Sequence, residues 1–164
     1  MVDKIYLDMD GCIADFSKRF LELYGFNPYD VTDKVFYKYF DDFIETEQFA
    51  TLDFLHGAEE LIKYLSMLDI PTEILSSTAT EKHHHNISKQ KKTWLESKNI
   101  TFPTNFVPGK KHKYKYAASR HLIIDDTESI IKDWEKAGGL TVWYKDHDST
   151  MKQLAKYTKN FVIA

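Results

Sequence analysis

The sequence contains a single cysteine, Cys12, so no disulfide can form within the chain. That scarcity fits a reducing compartment, and a cytoplasmic protein is expected. Long hydrophobic runs are missing as well: no stretch approaches the roughly 20 apolar residues of a membrane span, and the first residues lack the charged-then-apolar pattern of an export signal. No membrane partner is expected. Repeats, low-complexity tracts and long linkers are lacking too, which leaves one domain with room for a small insertion. At 164 residues, folding buries roughly two thirds of the unfolded chain's surface, enough to stand without disulfides.

A large excess of charge is also lacking; the net value is −3. Its distribution is uneven. Asp30, Asp33, Asp41, Asp42, Glu45 and Glu47 crowd the first third, whereas Lys82 to Arg120 is rich in lysine. Such asymmetry can mark a site for an anionic ligand, although most of these lysines read as solvated helix faces.

What is present is alternation. Residues 3–8 read as a short apolar strand, and Phe16 to Tyr24 carries Phe16, Phe20, Leu23 and Tyr24 at helical spacing before Gly25. Asn27 to Thr51, dense in Phe, Tyr and Asp, reads as one or two short helices outside the main fold. A helix follows with Ala58, Leu61, Ile62, Leu65 and Leu68 on one face, then a strand in "PTEILSS" and an exposed loop in "TATEKHHHN". "ISKQKKTWLESKN" is a basic amphipathic helix presenting Ile87, Trp94 and Leu95. Strands in "NFVPG", "HLIIDD", "LTVWY" and "FVIA" alternate with helices in "SIIKDWEKAGG" and "DSTMKQLAKYTK". Strands interleaved with helices predict an α/β fold around a parallel sheet, with the ligand at the carboxyl ends of the strands.

Three of those strand ends carry polar chemistry: Asp8 and Asp10 after the first, Ser76 and Ser77 after a middle one, Asp125 and Asp126 after a later one. In a parallel sheet all three leave on one edge. Four acids there repel one another unless a hard cation neutralises them, and so small a set of oxygen ligands suits Mg²⁺. A hydroxyl and a lysine from 110–115 beside such a cluster point to a phosphoryl ligand, and an aspartate can attack phosphorus directly. Plainer roles compete. Asp8 and Asp10 could cap the strand into the turn at Gly11, Ser76 could satisfy local backbone, and Asp125 or Asp126 could cap the next helix. Cys12 reads as a small apolar filler.

"DMDGCIADF" resembles the first motif, Asp-x-Asp-Gly, of phosphatases in the haloacid dehalogenase (HAD) superfamily. "EILSS" is similar to its second motif and "HLIIDD" to its fourth, in the same order across nearly the whole chain. The resemblance implies a three-layer, Rossmann-like parallel-sheet core (1–15 and 56–164) with a small helical cap (16–55) inserted after the first strand. It implies a nucleophile at Asp8 forming an aspartyl phosphate, and a general acid and base at Asp10. Mg²⁺ would be held by Asp8, the Asp10 carbonyl and one of Asp125 and Asp126, with Asp126 favoured as the direct ligand. Ser76, ahead of Ser77, would bind the phosphoryl group, and Lys113, ahead of Lys115, would be the third-motif lysine. Asp10 favours a phosphatase over a dehalogenase, because an alkoxide needs a proton where a halide does not.

Within that superfamily the surroundings most resemble the deoxyribonucleotidase branch, in which a phenylalanine at the place of Phe16 lies against the substrate. The implied activity is Mg²⁺-dependent hydrolysis of a nucleoside monophosphate, a 5′-nucleotidase. Phe36, Tyr37, Tyr39, Phe40 and Phe43 are candidates to hold the base by stacking, and core packing is the competing role for each. A promiscuous small-molecule phosphatase would look similar. "KKHKYKYAASR" could instead grip a nucleic-acid backbone, giving a 3′-end phosphatase, and a binding protein without turnover is the third reading.

Overall fold

A computed structural model describes residues 1–159. Its sheet has five parallel strands, β1 (Lys4–Leu7), β2 (Thr72–Ser77), β3 (Thr104–Val107), β4 (His121–Asp125) and β5 (Leu140–Trp143), in the order β3-β2-β1-β4-β5. The expected "FVIA" strand lies outside the described residues. Parallel strands need crossovers; helices α1 (Phe16–Tyr24), α2 (Asp33–Glu45), α3 (Ala58–Ser66), α4 (His84–Ser97) and α5 (Glu128–Lys136) lie between strands, and α6 (His147–Thr158) follows β5. Among the described residues no helix is long and apolar enough to cross a membrane.

Alternation along the strands explains why helices cover both faces. Ile5, Leu7, Ile74, Leu122, Ile124 and Val142 enter one core with α1 to α4 and α6. Tyr6, Leu75 and Ile123 point the other way, onto Ile130, Ile131 and Trp134 of α5. With both faces buried, the strands read as continuous apolar runs. The acids follow where those runs stop.

The chain reverses direction in the sheet order at β1, with β2 on one side and β4 on the other. That arrangement opens a crevice at the strands' carboxyl ends. The long excursion after β1 contains α1, α2 and a 3-10 turn at Gln48–Thr51. Its two ends are tied together: Asp15 N donates to Asp53 O at 3.0 Å and Leu55 N to Ile13 O at 2.8 Å. Phe20, Phe40, Phe43 and Phe49 inside it join the larger core.

One expected loop is largely helical. Glu81–His83 is a 3-10 turn and α4 begins at His84. His83 is half-buried against Asp41, Nε2 to Oδ1 3.0 Å, and His84 Nδ1 meets Thr78 Oγ1 at 2.8 Å. These side chains find partners on α2 and beyond β2, which local sequence does not disclose. His85 alone of the three is exposed.

Trp94 joins the excursion to the main body. It is fully buried, and its Nε1 donates to Leu52 O at 2.6 Å. Trp94→Ala is expected to cost about 3–5 kcal/mol, the range for large aromatic truncations in cores. Urea denaturation checks this, and a loss below about 1 kcal/mol would show that the site collapses around the smaller side chain.

Candidate active site

The end of β1 is shaped by one glycine. Asp8 N donates to Ile124 O at 3.0 Å, extending the sheet by a residue, and the chain then turns at Gly11 with φ +81°. A Cβ at Gly11 would lie 2.1 Å from Asp126 Oδ2. Glycine therefore supplies both the left-handed backbone and the close approach between the β1 and β4 exits. The amides of Cys12, Ile13 and Ala14 all converge on the Met9 carbonyl, closing the turn.

Two buried lysines organise the acids. Lys113, 2% exposed, stands on a 3-10 turn (Lys110–Tyr116) and donates to Asp8 Oδ1 at 2.9 Å and Asp125 Oδ2 at 2.7 Å. Asp125 is fully buried, and its other oxygen accepts from Thr127 N at 2.9 Å. Lys91, 1% exposed, comes from α4 on the other side. Its ammonium donates to Asp10 Oδ2 at 2.8 Å, Ser76 Oγ at 2.7 Å and Ser77 O at 2.8 Å. Asp10 Oδ1 is buried and has no hydrogen-bond partner.

Charge is not balanced by these pairs. Burial, then Asp125, pushes the Asp8 carboxyl well above its ordinary range despite the opposing pull of Lys113. Burial and Asp125 push Asp126 up to about 6. Burial alone would lower the Lys113 ammonium, but Asp8 and Asp125 outweigh it and hold it above its usual value. Asp8, Cys12 and Asp126 each offer a ligand atom within 4.8 Å of the others. The Cys12 thiol is pushed well up by burial and then by Asp8, so it stays protonated and is a poor ligand for a hard cation. The surplus negative charge and two hard carboxylates fit a divalent ion of the Mg²⁺ type, with Asp8 and Asp126 as donors.

A cavity of about 380 Å³ opens over these groups, lined at one end by Asp8, Asp10, Asp126 and Lys113. Ser77, Thr78, Lys110 and Thr127 also line it. Ser76, the serine favoured from sequence, does not face it: it is fully buried against Lys91, and Ser77 takes the cavity wall. Lys115 also points elsewhere, exposed and paired with His112 Nδ1 at 3.1 Å. Asp125 is enclosed with both oxygens engaged, whereas Asp126 reaches the cavity.

Phe16 lines the cavity but is buried in an aromatic cluster, stacked on Phe49 with centroids 5.6 Å apart. Phe36, Tyr37 and Phe40 also face the cavity. Tyr39 packs instead on Tyr24 and Phe26, and Phe43 is buried among phenylalanines. Lys91 was missed, and a signal existed: it falls between Ile87 and Leu95 at i, i+4 spacing on the buried face of α4.

No protein-family model matches the sequence, and no curated protein matches it. Solved structures do match. A hydrolase from Streptococcus pneumoniae TIGR4 is 16% identical with a TM-score of 0.58, covering 93% of this chain and 98% of that one. A HAD-superfamily hydrolase from Ehrlichia chaffeensis is 14% identical with a TM-score of 0.56, over 96% and 98%. A HAD-family hydrolase from Deinococcus radiodurans R1 with bound phosphate and sodium is 10% identical with a TM-score of 0.51, over 95% and 96%. The chain thus has the α/β fold of HAD-superfamily hydrolases.

The charge imbalance has a pH signature. A carboxyl raised in the folded state favours folding most below its unfolded pKa and loses that contribution as pH rises through its folded value. In chelator, thermal stability is therefore expected to fall as pH rises from about 4 to about 6, the window set by Asp126. Mg²⁺ at about 100 times its Kd should restore about 2.7 kcal/mol at pH 7, and Asp126→Asn should remove that response. Equal Mg²⁺ stabilisation of both proteins would exclude Asp126 as a ligand.

Proposed function

We propose that the protein is a Mg²⁺-dependent phosphomonoester hydrolase working through an aspartyl phosphate, with nucleoside monophosphates as substrates. The carrying observation is the convergence of Asp8, Asp10, Asp126 and Lys113 at the end of a cavity whose outer wall is aromatic. Phosphate bound to a hydrolase of the same fold is in line with an oxyanion there.

Asp8 attacks phosphorus, forming a carboxyl-oxygen to phosphorus bond as the ester oxygen departs. Asp10 gives that oxygen its proton, and Oδ1, which lacks a partner, is the atom to carry it. Asp10 then takes a proton from the water that attacks the phosphoryl group, releasing phosphate and restoring Asp8. Lys91 fixes Asp10 through its other oxygen, and Lys113 holds Asp8 in place. Mg²⁺ held by Asp8, Asp126 and the Asp10 carbonyl would supply positive charge to the phosphoryl oxygens. Ser77, on the cavity lining, would donate its hydroxyl to them. The excursion 16–55 serves as the cap, carrying the aromatic wall.

A nucleic-acid end fits less well. In "KKHKYKYAASR" Lys113 is consumed inside and Tyr116 packs on Tyr6 with centroids 5.6 Å apart, so the basic run is not one continuous strip. The presence of both Asp8 and Asp10 at the cavity favours an enzyme over a binding protein.

The test is phosphate release from ribo- and deoxyribonucleoside monophosphates, with and without Mg²⁺. Asp8→Asn should abolish it. The ratio kcat/KM reports leaving-group departure and not the later hydrolysis shared by all substrates. Asp10→Asn should lower it by about 10²–10⁴ for alkyl phosphates, the range for general acid–base catalysis, and far less for p-nitrophenyl phosphate, since nitrophenolate leaves without a proton. Equal losses on both would remove Asp10 from leaving-group protonation.

A further inference from the structure

The cavity wall contributed by the excursion is mostly aromatic, with Pro28, Tyr29, Phe36, Tyr37 and Phe40, and the Tyr29 hydroxyl lies near enough to Asp126, Asp10 and Asp8 to feel their charge. Asp33 is its one charged member. It stands in the first turn of α2, immediately after the Thr32 cap. Of the other carboxylates on α2, Asp41 pairs with His83 at 3.0 Å and Lys82 at 3.9 Å, Asp42 Oδ2 accepts from Tyr24 Oη at 2.7 Å, and Glu45, the last residue of the helix, does not line the cavity. Asp33 is exposed and, among the described residues, has neither a salt bridge nor a side-chain hydrogen bond.

An ionised carboxylate only accepts hydrogen bonds. Set among the aromatic residues that line the same cavity as Asp8, Asp10 and Lys113, it selects for a ring that presents N–H and against one that presents C=O. Resting on the nucleotidase reading above, we infer that Asp33 is a specificity determinant that selects nucleobases bearing an exocyclic amino group. Cytosine offers its 4-amino group, where uracil offers a carbonyl oxygen that the carboxylate repels. Guanine offers N1–H and its 2-amino group side by side, a match for both carboxylate oxygens. Hypoxanthine lacks the second of these. The cavity volume of about 380 Å³ falls in the range for ligands larger than phosphate alone. An acid in the first turn of a helix also complements its dipole, but that role touches stability and not the choice of base.

Two substrate pairs differing at a single base substituent test this: CMP against UMP, and GMP against IMP. Each is measured as kcat/KM with Mg²⁺ in the unaltered protein and in Asp33→Asn, with ribose 5-phosphate as a base-free comparison. The expected result is about a tenfold or greater preference for the amino partner in at least one pair, the low end for hydrogen bonds to a charged group. Asparagine can donate as well as accept, so Asp33→Asn should bring that ratio to unity or reverse it. A stability change from losing the dipole contact moves both members of a pair alike and leaves the ratio where it was. Ratios near unity in the unaltered protein, or ratios that survive the substitution, overturn the role of Asp33 while leaving the nucleotidase intact. Ribose 5-phosphate equalling all the nucleotides overturns the nucleotidase reading itself. Phosphocholine surpassing every nucleotide, with loss in Asp33→Asn, would assign the wall to a quaternary ammonium and overturn the base selection.

Discussion

Everything at the carboxyl edge of this sheet depends on one ammonium held between two buried carboxylates. Asp8 and Asp125 leave neighbouring strands with almost no solvent, and each is bonded to Lys113. Burying such groups unpaired would be prohibitive, and removing one partner of a buried pair typically costs about 3–5 kcal/mol. The 3-10 turn that carries Lys113 is itself fixed, since it packs on α5 and Tyr116 meets Tyr6 of β1 edge-on. Yet one cation cannot neutralise two buried acids and Asp126 as well. Burial, then the charge of Asp125, raises the Asp126 carboxyl, and the surplus negative charge suits a divalent ion there.

Lys91 ties the second half of the site to the excursion. Its neighbour on α4, Gln90, is buried; Gln90 Oε1 accepts from Phe49 N at 3.2 Å and Gln90 Nε2 donates to Ile44 O at 2.8 Å. One turn on, Trp94 reaches Leu52. Residue 90 thus fastens the chain that ends α2, and residue 91 fastens Asp10. The aromatic wall and the proposed proton donor are registered to each other through adjacent residues of one helix. A shift of the wall must therefore strain the hydrogen bonds around Asp10.

Local pattern revealed the sheet, the strand-end acids and most helices, because each is written in a short stretch: an apolar run, a carboxylate, a glycine. Contacts between distant stretches were not so written. Choosing between Ser76 and Ser77 needs to know which side of β2 the α4 lysine approaches. Choosing between Lys113 and Lys115 needs the 3-10 geometry, in which side chains three apart align. Under it Lys110, Lys113 and Tyr116 share a face, and Lys115 turns to His112. Lys91 sat on an apolar stripe, yet basic neighbours at 89 and 92 made solvation the natural reading. The histidines 83–85 looked like loop because their partners, Asp41 and Thr78, lie on other elements.

The uneven charge of the sequence takes on a different meaning in the fold. Parts of its acidic first third and of its basic stretch after residue 82 are brought together. They meet: Asp41 with Lys82 and His83, Asp10 with Lys91, Asp8 with Lys113. Part of the asymmetry therefore records which segments fold against each other. Pairing removes these charges from ligand recognition at long range, so what a ligand meets is the remainder along the cavity. Beside the paired Asp8, Asp10 and Lys113, the charged groups of the lining are Asp126, Lys110 and Asp33. An anionic head drawn to a cation-loaded inner end, with a polar ring edge turned to Asp33, matches this order of charges, and a second phosphate directed at Asp33 does not.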